Sequence, residues 1–130
     1  MAITNPARND RNDGIDRVLA GLVTLRGVTT AALVDEDGLV THIRRDFEMD
    51  ADALGAAAQV VFAAAKRACQ QVRQDAVKLV ISENQDGMIL LTPLNRSFIL
   101  CLVTDTSGML GTIRFEMREV VPELNAMLGR

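Results

Sequence analysis

Few side chains in this sequence could do chemistry, and their types and spacing set narrow limits on what that chemistry is. There are two thiols, Cys69 and Cys101, and one imidazole, His42. The cysteines are not part of a C-x-x-C pair and no second histidine stands nearby, so the ligand set of a zinc site is missing. The acidic run Asp35-Glu36-Asp37-Gly38 invites a calcium reading. With Gly38 as sixth residue of such a loop, its first ligand would be Leu33 and its twelfth Arg44, neither of which can serve. The run Glu83 to Gly87 fails in the same way, since its twelfth position is Pro93. Arg44, Arg45 and Arg96 fall in expected loops, where an inserted arginine could stabilise a transferring phosphoryl group, although a solvated side chain is the commoner fate. Ser107-Gly108 precedes a helical pattern and could hold an anion or, more simply, cap the helix. No G-x-S-x-G elbow, glycine-rich phosphate loop or H-E-x-x-H pair occurs. The expectation is a protein with no catalytic residue, no cofactor and no metal.

The elements that carry these residues can be read from hydrophobic periodicity. Residues 1–12 lack an apolar core and are expected to form a disordered polar lead, with one domain over 13–130. Ile15, Val18, Leu19, Leu22 and Leu25 mark a helix from Asp13 to Arg26. Val28 to Val34 and Leu39 to Ile43 read as strands joined by the acidic turn, where Gly38 supplies a positive φ. His42 is expected on the solvent face of the second strand. Asp50 or Asp52 is expected to cap the alanine-rich helix that follows, which runs to about Arg73. Three more strands are expected over Ala76 to Ser82, Met88 to Thr92 and Ser97 to Val103. A last helix carries a stripe from Leu110 to Leu128, with a kink or break expected at Pro122.

The order is α-β-β-α-β-β-β-α, which predicts an α+β three-layer sandwich: a five-stranded antiparallel sheet with helices on both faces. The strand at Ala76 carries Lys78 among apolar residues and reads as an edge.

The second helix is unusual in composition. Nine alanines lie between Ala51 and Ala68, with Gly55, Val60, Val61 and Phe62 among them. An ordinary surface helix has one apolar stripe, and this one has too much apolar surface for a single contact. It is not a membrane span: Asp50 and Asp52 bound one end, Lys66 and Arg67 interrupt the other, and alanine is only weakly apolar. A net charge of −3 argues against general nucleic-acid binding. Burial on two sides remains, one against its own sheet and one against a second chain. The expected interface comprises Ala57, Ala58, Val61, Ala64, Ala65 and Ala68 of the helix, with Val77, Leu79 and Ile81 of the edge strand. Gln59, Lys66, Gln70 and Arg73 share a thin polar stripe. Buried free thiols fit a reducing, cytoplasmic setting.

From Ile15 to Leu128 the chain resembles the roadblock / dynein light chain family. The features that carry the resemblance are Gly27-Val28 before the first strand, the turn Asp35 to Gly38, the alanine-rich helix, Pro93-Leu94 before the last strand, and the run Leu110, Gly111, Ile113, Arg114. The resemblance implies a profilin- and longin-like sandwich. It also implies dimers joined through the second helix and third strand, and Ras-like small GTPases as partners, with the bacterial gliding-motility regulators among the members similar to this chain. On that basis the expected function is a non-enzymatic homodimeric regulator of a small GTPase, docking it through the polar stripe. A purely structural dimerisation or scaffold module, without effect on nucleotide turnover, is the alternative.

Overall fold

The computed structural model describes residues 6–130. The elements are α1 (Pro6–Leu22), β1 (Val28–Val34), β2 (Val40–Arg45), α2 (Ala51–Gln71), β3 (Val80–Asn84), β4 (Gly87–Pro93), β5 (Ile99–Thr104) and α3 (Leu110–Leu128), with one 3-10 turn at Asn95–Ser97. The strands form one antiparallel sheet in the order β2-β1-β5-β4-β3. The expected α+β sandwich is the one observed.

Alternation along the strands divides the core in two. Ala31, Leu33, Leu90, Leu100 and Leu102 point to one face and are covered by Ile15, Leu19 and Leu22 of α1 and Ile113, Met117 and Leu124 of α3. Ala32, Val34, Leu91, Ile99 and Cys101 point to the other, where Ala58 of α2 reaches them. The three inner strands are apolar on both sides because both sides are covered.

Several boundaries differ from the sequence expectations. Helix α1 starts at Pro6, not Asp13, so the lead expected to be disordered is helical from residue 6; a proline suits a helix's first turn, where its missing N–H is no loss. The rest of that lead, residues 1–5, lies outside the described residues. Strand β2 runs on to Arg45, which places Arg44 and Arg45 opposite Ala31 and Thr30 instead of in a loop. Strand β3 begins at Val80, not Ala76: pairing of Asn84 with Gly87 draws Glu83 and Asn84 into the ladder. Helix α3 runs through Pro122 without a break, as its continuing stripe implies, and the proline lies on the exposed side.

Candidate docking and self-association surface

Helix α2 is started by Asp50, whose Oδ1 accepts from the Ala53 N–H at 3.0 Å. Its rotation is set where it meets the β1–β2 turn. In that turn Asp35 Oδ1 accepts from the N–H groups of Asp37 and Leu39, both at 2.9 Å, and Gly38 has φ +82. Gly38 lies so close to α2 that a Cβ on Gly55 would stand 2.5 Å from the Gly38 carbonyl oxygen. The acidic residues thus build a turn that seats the helix.

Gln59 adds a second fastening. Its Nε2 donates to the Asp35 carbonyl at 2.6 Å and to the Ser97 carbonyl at 3.1 Å, tying α2 to two turns at one end of the sheet.

With α2 held this way, Gly55 and Ala58 face the sheet and are buried, and Leu54, Phe62, Ala65 and Cys69 are half-buried. Ala57, Val61, Ala64 and Ala68 point outward and are exposed. Val60, Val61 and Val72 are 70%, 45% and 63% exposed. Valine with that much surface in water is the informative anomaly here, more than the alanines themselves. The helix lies chiefly over β1, β2 and β5. The same face of β4 and β3 keeps Ile89 and Val80 only half-covered, beside an edge strand.

Several expected interface residues are placed differently. Ala58 is 4% exposed against its own sheet and has nothing to offer a second chain, which corrects its assignment. Val77 and Leu79 lie ahead of β3, not within an edge strand. Leu79 and Ile81 pack toward the α1/α3 core, so their side chains turn to the face opposite α2. Of the three, only Ile81 belongs to the edge strand.

The polar stripe also divides. Gln59, Lys66 and Gln70 line a cleft of about 710 Å³ with Glu36, Cys69 and Asp75. Arg73 is not among its lining residues: it lies beyond the helix end in a left-handed conformation, φ 59. Lys66 and Gln70 are exposed, whereas the amide of Gln59 is already engaged.

Most of the groups singled out for chemistry are occupied structurally, with Arg44 left exposed on β2. Arg45 Nη1 donates to the Met49 carbonyl at 3.0 Å, and Arg96 Nη1 to the Leu128 carbonyl at 3.3 Å. Cys101 is fully buried in the sheet, and burial pushes its thiol up to about 12. His42 does not stand free on the solvent face as expected. It is half-buried against the longer α1, its Nε2 3.3 Å from Asn12 Oδ1. Burial pushes its pKa down, and Arg11 adds to the effect while Asp16 opposes it. Asp105 accepts from both the hydroxyl and the backbone N–H of Ser107, which hold its carboxyl below the usual range. Ser107 makes no cap, because the N-cap position of α3 is Met109. Among the described residues no group of His, Cys, Asp and Glu could hold a metal ion.

An antiparallel five-stranded sheet carrying one helix on one face and two on the other, with the single helix largely bare outside, defines a roadblock-type sandwich. The chain belongs to the Roadblock/LC7 domain family, whose model matches residues 14–104. The uncharacterized protein MJ0310 of Methanocaldococcus jannaschii is 31% identical over 113 residues, which cover 87% of this chain and 98% of that protein. Among solved structures, the Roadblock/LC7 domain from Streptomyces avermitilis matches with a TM-score of 0.81 at 21% identity, over 87% of this chain and 96% of that one. The gliding protein MglB from Thermus thermophilus matches with a TM-score of 0.82 at 16% identity, over 96% of this chain and 93% of that one.

Proposed function

We infer that this protein is a homodimeric, non-enzymatic regulator or scaffold partner of a Ras-like small GTPase, working in the cytoplasm, with a folded unit that includes the whole of α1 from Pro6. The observation that carries the dimer is the bare outer face of α2, with Val61 between Ala57 and Ala64, next to a half-covered stretch of sheet at the β3 edge. A two-fold axis beside that face would lay the partner's α2 over Ile89 and Val80 and would pair the two free edges, removing both liabilities at once. Small side chains let the two helix backbones come close.

The GTPase is supported by family membership and by the fold shared with a gliding protein. Lys66 and Gln70 are the free polar groups on the flank of α2 and supply the docking contacts. Regulation through positioning of the GTPase's own catalytic groups fits better than a donated arginine from Arg45 or Arg96, which are spent on backbone carbonyls; Arg44 is the one exposed candidate of the three without such a bond. The test is GTP turnover by the small GTPase encoded nearest to this gene, with and without the protein, alongside a pull-down. Faster turnover that is lost in Lys66→Ala/Gln70→Ala supports regulation. A complex with unchanged turnover supports the scaffold alternative, and no complex overturns the GTPase reading.

A further inference from the structure

On the opposite face of the sheet from α2, a groove of about 440 Å³ runs between α3 and the segment leading into β3. Its floor and walls are apolar, with Leu79, Val121 and Pro122 prominent. Its charged residues are Lys78, Arg114 and Arg118, and no acidic residue lines it. That is unexpected on a chain whose net charge is −3. Among the described residues none of these three cations forms an ion pair. The acidic residues of α3 are turned elsewhere: Glu116 and Glu123 line the seam with α1, opposite Arg17, and helical spacing carries Glu119 away from the groove. Asp75, the nearest acid in sequence to the strand lead-in, lines the cleft on the α2 side. One wall is held in place, because Thr92 Oγ1 donates to the Lys78 carbonyl at 3.0 Å.

From this we propose that the groove between α3 and residues 77–79 docks an acidic amphipathic segment of a partner protein. Apolar side chains of that segment fill the slot over Leu79 and Val121, and its carboxylates meet Lys78, Arg114 and Arg118. An apolar trough with a rim of one charge sign selects partners by sign and register, and a fixed wall lowers the ordering cost of binding. The three cations surround a concavity and do not spread over a flat face, which favours a protein segment over a lipid surface. The groove opens on the far side of the sheet from the bare α2 face, so a partner's α2 would not cover it, while pairing of the β3 edges would run on from its 77–79 wall.

The probe is a labelled peptide of about 15 residues that alternates glutamate and leucine at helical spacing, titrated against the full chain by fluorescence anisotropy. Micromolar binding is expected. It should weaken about tenfold or more in Arg114→Glu/Arg118→Glu and fall as salt is raised from about 50 mM to about 500 mM. Peptides with lysine for glutamate, or serine for leucine, should not bind. Circular dichroism checks the fold of the variant, and Arg114→Gln/Arg118→Gln replaces it if the charge reversal disturbs folding. The proposal is overturned if wild-type protein does not bind the acidic peptide, or if binding survives loss of both arginines. It is equally overturned if phosphatidylglycerol vesicles engage the same arginines more tightly than the peptide does, which would make the surface a lipid contact. A change in the mass of the protein in solution on losing the arginines would make it a self-contact, with the same consequence.

Discussion

Gly55→Ala is expected to destabilise the protein even though it replaces the poorer helix former with the best one. In a helix interior alanine is favoured over glycine by about 1 kcal/mol. Here the added Cβ would stand 2.5 Å from the Gly38 carbonyl oxygen and 2.9 Å from Val40 Cγ2. The first neighbour is backbone inside a turn pinned by Asp35, so it cannot rotate aside. Either α2 lifts from the sheet or the turn is pushed out, and such overpacking costs about 1–3 kcal/mol. Taking the upper half of that range, the net loss is about 1 kcal/mol or more. Gly21→Ala is the matched control: that Cβ meets nothing within 4 Å. A smaller propensity gain, because Gly21 lies in the last turn of α1, should appear there as stabilisation of about 0.5 kcal/mol. Urea denaturation at one fixed protein concentration reads both, because a dimer's stability depends on concentration. Equal shifts of the same sign for the two variants would refute the claim that the Gly38–Gly55 contact sets the seat of α2.

Two further outcomes follow from the buried titratable groups. Cys101 should resist a thiol reagent in the native protein while the half-buried Cys69 reacts, giving one adduct by intact mass and two after denaturation; two native adducts would contradict the packing. His42 has its folded pKa below the unfolded value of about 6.5, so the unfolded chain binds the proton first as pH falls. Its contribution to stability is therefore intact above that pH and is lost on acidification toward the folded pKa. The urea midpoint should drop between about pH 7.5 and about pH 5.5, and His42→Gln should flatten that drop; an unchanged drop would assign it to other groups.

The fold was largely legible because its strands are short apolar runs closed by strong turn signals. Val28 to Val34 is a strand in both readings, since Gly27 and the Asp35–Gly38 turn leave no latitude. The start of α1 was hidden because residues 6–12 carry little apolar pattern and several weak helix formers, while the contact of Asn12 with His42 gives that turn a role. The shift of β3 followed from the ladder: the pairing of Asn84 with Gly87 decides which residues enter the strand, and periodicity within the strand cannot report it.

The candidate surface was legible in kind but not in rotation. Alanines on every side of α2 look alike in sequence, so Ala58, facing the sheet, could not be told from Ala57, facing out. What separates them is the seating of Gly55 on Gly38, a tertiary contact that the turn pattern around Gly38 does not reveal. Gln59 misled for a related reason. Its spacing matches Lys66 and Gln70, yet its amide is engaged by carbonyls of two turns distant in sequence.

The central claim is that the outer face of α2 joins two copies of this chain. Size-exclusion chromatography with light scattering tests it directly, comparing wild type with Val61→Glu and Ala64→Glu. Wild type should run at about 28 kDa, twice the 14.1 kDa of the chain, and both variants should shift toward 14.1 kDa with the fold retained. A wild-type monomer at micromolar concentration, or a dimer indifferent to both glutamates, would contradict it.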